Sequence, residues 1–156
     1  MYARVVRALE VYILTGKTIT QHDAETRARP PRYDAAKLAL DFENRQDLYD
    51  RINRRVGIML ELGLLEEIEG LLASGIPAGC TAMQAIGYKE FVDALAGKCT
   101  VEEAADQVRQ SSRRYAKRQL TWFRRNPKAN WLIRRPGENC TEIVEKARLF
   151  LRDFDK

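Results

Sequence analysis

One short segment limits the architecture of this chain more than any other. Lys37-Leu38-Ala39-Leu40-Asp41-Phe42 is apolar, brief and followed by polar residues, the pattern of a β-strand. Nearly all other apolar residues recur at the three- and four-residue spacing of helices. A strand needs a partner for its amides and carbonyls, and the only other strand candidate is Trp131-Leu132-Ile133. Two strands cannot make a sheet core alone. The pattern therefore predicts a mostly α-helical chain with one or two short strands, whose sheet is supplied by residues outside these 156. The chain is expected to have no long partner for the first strand.

The helices follow from periodicity and punctuation. Val5, Val6, Leu9, Tyr12 and Ile13 predict a helix from about Ala3 to Leu14, ended by Gly16. Thr18 to Asp34 is polar and contains Pro30-Pro31, so it reads as a loop carrying a solvated His22. Asn44 is placed to cap a helix bearing Leu48, Ile52, Val56 and Met59. Gly63 interrupts it, and Leu64, Leu65, Ile68, Leu71 and Leu72 continue as another helix to Gly75. Thr81 with Gln84, and Thr100 with Glu103, have capping-box spacing. They predict a helix from Thr81 to Gly97 and a long one from Thr100 to Pro127. A last helix runs from Thr141 to Phe154, with Ile143, Val144, Ala147 and Phe150 facing inward.

Length fits one domain with one core, and no apolar run approaches the roughly 18 residues of a membrane span. Three scattered cysteines, Cys80, Cys99 and Cys140, do not form a disulfide framework and fit a reducing compartment. A single histidine leaves no Ser-His-Asp or Cys-His pair and no zinc-ligand spacing. Charge is more telling. Gln107 to Gly137 contains ten basic residues and no acid, while the remainder carries 17 basic and 22 acidic residues. A positive field concentrated in this way attracts a polyanion, nucleic acid being the usual one.

Three features point to phosphate chemistry, each with a plainer reading beside it. Thr15-Gly16-Lys17-Thr18 has the end of a phosphate-binding loop, but Val11 stands where that loop needs glycine. A helix precedes it instead of a strand, so a helix cap is the better reading. Arg109, Arg113 and Lys117 share one helix face, with Arg114 and Arg118 beside it. Like charges so spaced repel by roughly 0.2–0.5 kcal/mol per pair, which phosphates would relieve; pairing with acids elsewhere is the alternative. Arg51 and Arg55 share a face and suit diphosphate oxygens, unless they pair with Asp47, Asp50 or Glu61.

Several stretches together resemble one family. These are Arg4-Val5-Val6-Arg7-Ala8-Leu9-Glu10-Val11-Tyr12 with Thr15-Gly16-Lys17, and Leu48-Tyr49-Asp50-Arg51-Ile52 with Arg55, Met59 and Gly63-Leu64. The more specific ones are Gln84-Ala85-Ile86-Gly87-Tyr88-Lys89-Glu90, and Arg113 with Ala116-Lys117-Arg118-Gln119-Leu120-Thr121-Trp122-Phe123-Arg124. In this order they are similar to the C-terminal part of bacterial tRNA dimethylallyltransferases.

The resemblance implies an α/β core of the P-loop nucleotide-binding type, with residues 1–156 forming the C-terminal portion of the catalytic domain. It implies a cytoplasmic transferase that moves a dimethylallyl group from dimethylallyl diphosphate to the N6 amine of the adenosine 3′ of the anticodon. That adenosine is flipped out of its stack, and magnesium holds the diphosphate. The family's P-loop, Asp general base and tRNA-gripping insertion all precede the Arg-Ala-Leu-Glu stretch, so the resemblance assigns no catalytic residue and no metal ligand here. It assigns tRNA contacts to Gln84, Ala85, Ile86, Gly87, Tyr88, Lys89, Arg113, Lys117, Arg118, Gln119, Thr121 and Arg124, and the diphosphate side to Arg51 and Arg55. Trp122 and Phe123 could stack on a base, but Trp122 falls on the apolar stripe and is expected in the core. The expected partners are the tRNA anticodon stem-loop and an N-terminal half of the enzyme. The alternatives are a non-catalytic basic RNA-binding module, or a subunit pairing with a separate N-terminal half.

Overall fold

A computed structural model describes residues 2–30 and 32–154, apart from the side chain of residue 153. The described residues fall into two compact units, Met1–Ala35 and Ala36–Lys156.

The first unit is a helical hairpin. Helix α1 (Tyr2–Thr15) ends at Gly16, whose φ of +69° is open to glycine at no steric cost. Helix α2 (Ile19–Ala28) follows at once, where the polar composition predicts a loop. Its start is fixed by a complete capping box: Thr18 Oγ1 accepts from Gln21 N, and Gln21 Oε1 accepts from Thr18 N. His22 therefore sits on a helix, half-buried, with Nε2 3.0 Å from Thr15 Oγ1. The Thr15–Thr18 segment joins two helices and has no strand before it.

The second unit begins with β1 (Lys37–Phe42) and continues through α3 (Arg45–Glu61), α4 (Leu64–Ala73), a 3₁₀ turn (Ala82–Gln84), α5 (Tyr88–Leu95) and α6 (Val101–Phe123). It ends with β2 (Ala129–Arg134) and α7 (Cys140–Phe154). The two strands pair in parallel along their whole length, from Lys37 opposite Ala129 to Phe42 opposite Arg134. A full-length partner for β1 thus lies within the chain, contrary to the expectation that none is available. Parallel neighbours need a crossover, and the helices α3 to α6 provide it.

Those helices close one apolar core. Val56, Leu64, Ile68, Met83, Phe91, Ala104, Ala105 and Val108 form a single buried cluster. Ala104 and Ala105 are fully buried, and their small side chains let α6 approach its neighbours closely. Asn44 caps α3 through Gln46 N, and Thr100 caps α6 in a two-way box with Glu103. The Thr81 spacing does not become a helix start: Thr81 makes no cap bond, and only the 3₁₀ turn follows. Helix α5 begins at Tyr88 instead, after Gly87 at φ +100°, where the buried Glu90 carboxylate accepts from Gly87 N at 2.9 Å.

Two inward assignments are corrected. Trp122 is 67% exposed: the last turn of α6 buries Leu120, and Trp122, two residues further on, falls on the opposite, outward side of the helix. Val144 is 44% exposed, whereas Ile143, Ala147 and Phe150 of α7 are half-buried.

Candidate nucleic-acid and diphosphate interface

An open groove of about 890 Å³ runs between β1, α3 and α6, floored by apolar side chains including Leu40, Ile52, Val56, Met59 and Ile86. Arg51 and Arg55 line it from α3, and Ser112, Tyr115 and Gln119 from α6. Three segments distant in sequence are thereby brought together: the α3 arginines, Ile86 of the Gln84–Lys89 stretch, and Gln119 of the basic helix. Neither Arg51 nor Arg55 lies within ion-pairing distance of a carboxylate among the described residues, so pairing with Asp47, Asp50 or Glu61 does not account for them. The Arg51 guanidinium carbon stands 5.9 Å from the centre of the Phe42 ring.

The Gln84–Lys89 stretch is built as a sharp bend over this groove. Gly87 needs its positive φ, and a side chain there would meet Met59 Cε at 3.8 Å. Tyr88 points away to α4, where its hydroxyl donates to Glu67; that bond holds the phenol proton and raises the Tyr88 pKa. Gln84 Nε2 donates to the Ala78 carbonyl at 3.4 Å, and Ala85 is exposed. Lys89 Nζ lies 3.7 Å from Glu90, in a separate polar cleft with Arg114.

The basic helix divides into occupied and unoccupied cations. Arg109 donates to Glu102 at 2.7 Å and Asp106 at 2.6 Å, and these two carboxylates raise its pKa. Acids one and two turns earlier thus relieve part of the repulsion. Arg113 donates to Asn53 at 2.6 Å, tying α6 to α3. Arg124 donates to the buried Asp41 at 2.9 Å and lies over Trp131. Thr121 Oγ1 donates within the helix to the Lys117 carbonyl. Lys117, Arg118 and Arg125 are exposed and make no ion pair among the described residues, and Arg118 lies over Tyr115. Trp122 and Phe123 meet edge to face beside them, centroids 5.2 Å apart. Sequence reasoning missed the exposure of Trp122; the density of basic residues around it was the available signal.

No three His, Cys, Asp or Glu side chains among the described residues are grouped to hold a metal ion, so no residue is assigned to magnesium. Among the described residues no helix is long and apolar enough to cross a membrane.

Known proteins place these features. A model of the IPP transferase family matches residues 2–126. A tRNA dimethylallyltransferase of Acetivibrio thermocellus is 40% identical over 151 residues, which are 97% of this chain and 48% of that protein. That of Geobacter sulfurreducens is 49% identical over 129 residues, 83% and 41% of the two chains. Among solved structures, the full-length tRNA isopentenylpyrophosphate transferase of Bacillus halodurans superposes with a TM-score of 0.73 at 40% identity, over 99% of this chain and 46% of that one. The tRNA delta(2)-isopentenylpyrophosphate transferase of Staphylococcus epidermidis gives 0.72 at 34% identity, over 97% and 49%. The chain spans about half the length of the curated relatives it matches, and because those relatives are single chains they give no support to a separately encoded N-terminal partner. On the match over residues 2–126 and these relatives, the chain belongs to the IPP transferase family, with the family's α/β fold.

Proposed function

We propose that residues 1–156 act as the C-terminal portion of the catalytic domain of a cytoplasmic tRNA dimethylallyltransferase. In this reading they supply tRNA contacts and one wall of the channel for dimethylallyl diphosphate. The observation that carries it is the amphipathic groove: two arginines without carboxylate partners among the described residues, beside a floor of Leu40, Ile52, Val56 and Met59. Dimethylallyl diphosphate has the same division, a short branched hydrocarbon and a dense anion. Guanidinium forks match diphosphate oxygens in two-point contacts, and the apolar floor excludes water from the hydrocarbon.

In the proposed reaction the N6 amine of adenosine forms a bond to the terminal allylic carbon while that carbon's bond to the diphosphate oxygen breaks. Arg51 and Arg55 would stabilise the charge that develops on the departing diphosphate. The base that takes the amine proton, and magnesium where the family uses it, are assigned to no residue of this chain. Gln84 to Lys89, Gln119, Lys117, Arg118 and the exposed Trp122 would meet the anticodon loop, the cations on phosphates and the indole on a base. Arg113, tied to α3, Arg124, tied to Asp41 of β1, and Thr121, bonded within α6, would position those side chains.

The exposed cations also favour RNA binding as a function in its own right, and one titration addresses both readings. Fluorescence anisotropy of an anticodon stem-loop should show binding that weakens steeply with salt, with a log–log slope near −3 to −4 if about four phosphates are contacted. Lys117→Ala/Arg118→Ala should bring the slope about two units closer to zero. A flat slope, or one unchanged in the double variant, removes α6 from the interface. Affinity that rises with dimethylallyl diphosphate supports the transferase reading, and affinity indifferent to it supports the RNA-binding module.

A further inference from the structure

A second cavity, of about 250 Å³, opens at the C-terminal edge of the sheet, between the first turns of α3 and the 134–137 turn after β2. Arg51, Arg54, Arg134 and Arg135 line it together with Asp47 and Asp50. The Phe42 ring orients two of the four: the guanidinium carbons of Arg51 and Arg134 stand 5.9 and 5.6 Å from its centre. Arg134 is fixed further, donating from Nε at 3.0 Å and Nη2 at 2.7 Å to the Glu138 carbonyl. The Glu138 carboxylate is already taken, by Arg135 N at 2.8 Å and Lys146 Nζ at 2.5 Å, so it does not neutralise the cavity. Asp50 accepts from Gln46. Among the described residues none of the four guanidiniums lies within 4.0 Å of a carboxylate.

We infer that this cavity is a phosphate-group site, in which Arg54 and Arg135 join the pre-oriented Arg51 and Arg134. Four guanidiniums against two carboxylates leave the lining with a net charge of +2, which a phosphate dianion matches and a monocarboxylate does not. The volume lies just below the roughly 300–1,000 Å³ of pockets that enclose whole drug-sized ligands, and suits a small anion. Its position is the one where open parallel sheets bind ligands, outside the carboxyl ends of the strands. The inference rests on the reading of Arg51 as a diphosphate-side residue. It adds to that reading a contribution from Arg134 and Arg135, which lie beyond the residues 2–126 matched by the family model.

Free diphosphate and an RNA backbone phosphate share this chemistry, and two titrations separate them. The 156-residue chain is titrated calorimetrically with inorganic diphosphate, and by anisotropy with anticodon stem-loop RNA. The variants are Arg54→Gln/Arg135→Gln, Arg51→Gln, and Arg148→Gln, which loses only its contact with Glu145 on α7. Saturable one-to-one diphosphate binding that falls at least tenfold in the double variant, and holds in Arg148→Gln, is the expected result. A tenfold loss for RNA without saturable diphosphate binding assigns the phosphate to RNA and keeps the site. Less than a twofold change in both ligands overturns it. If Arg51→Gln weakens diphosphate while the double variant does not, the proposed function stands and this cavity is not the site. Should the double variant melt early, Arg54→Gln alone replaces it, with a loss of at least threefold expected and an unchanged affinity overturning the inference.

Discussion

Phe91 and Ile68 are fully buried where α3, α4, α5 and α6 meet, whereas Leu40, at the centre of β1, is 51% exposed and Leu38 is 36% exposed. Both regions are rich in aliphatic residues, so hydrophobicity does not separate them. Connectivity does. The four helices follow one another in sequence and cover one another, closing their core with residues close at hand. The strands pair only with each other among the described residues, leaving one edge of each open and the face around Leu40 thinly covered. A parallel sheet is normally covered on both faces. The contrast fits the proposal that this chain contributes a self-sufficient helical core and an incomplete sheet to a larger domain.

Deleting side chains in the two regions should give very different losses. Phe91→Ala should cost about 3–5 kcal/mol, the range for a buried aromatic. Leu40→Ala should cost under about 1 kcal/mol, since roughly half of the side chain already meets water. Urea unfolding at several protein concentrations measures both. A Leu40→Ala cost as large as that of Phe91→Ala would mean the sheet face is covered, and a concentration-dependent midpoint would identify a second copy as the cover.

Helix starts divide in the same way, with a smaller effect. Thr100 and Thr81 have the same sequence spacing, but only Thr100 caps a helix. Thr100→Ala should lower stability by about 1 kcal/mol, and Thr81→Ala should stay within about 0.5 kcal/mol. Equal losses in thermal melts would show that Thr81 also starts a helix in solution.

The smallest expected effect is a pH dependence where α7 meets the turn after β2. The Lys146 ammonium first, and then the Arg135 amide, hold the Glu138 carboxyl below the ordinary value of 4.5. A depressed folded-state pKa gives stabilisation that is present above the unfolded value and is lost as pH falls through the folded one. The protection of the Arg135 amide, its exchange rate measured against the intrinsic rate at the same pH, should therefore fall as the pH is lowered below about 4.5, and Glu138→Gln should remove most of that dependence. A dependence that survives unchanged in Glu138→Gln would assign it to another carboxylate.

How far these features can be read from the sequence depends on how local their causes are. The strand Lys37–Phe42, the Asn44 cap and the Thr100–Glu103 box rest on neighbouring residues and appear where the pattern puts them. Helix α2 was legible in the Thr18–Gln21 box, but its polar face and the prolines after it favour a loop. Thr81 misleads because α5 starts only after the bend at Gly87, where a positive φ and the buried Glu90 carboxylate fix its first turn. The site divides in the same way. Arg51, Arg55, Ile86 and Gln119 can each be picked out from motifs, but their meeting in one groove depends on how α3 and α6 pack. Arg109 looks free in an acid-free segment, yet Glu102 and Asp106 stand just outside its boundary. The four-arginine cavity could not be read at all, since parallel pairing of β1 with β2 brings Arg134 and Arg135 beside α3.

In the proposed function the Arg51–Arg55 groove handles dimethylallyl diphosphate during prenyl transfer to tRNA. The most direct measurement places residues 1–156 in the corresponding portion of the full-length Bacillus halodurans enzyme, to which they are 40% identical. Transfer of labelled dimethylallyl to an anticodon stem-loop is then followed in that chimera and in its Arg51→Gln/Arg55→Gln variant, with RNA affinity measured in parallel. The chimera should be active, and its kcat should fall at least a hundredfold in the variant, about 2.7 kcal/mol of transition-state stabilisation, with RNA affinity changed less than threefold. A variant that keeps kcat and the KM for dimethylallyl diphosphate would contradict the assignment of the groove.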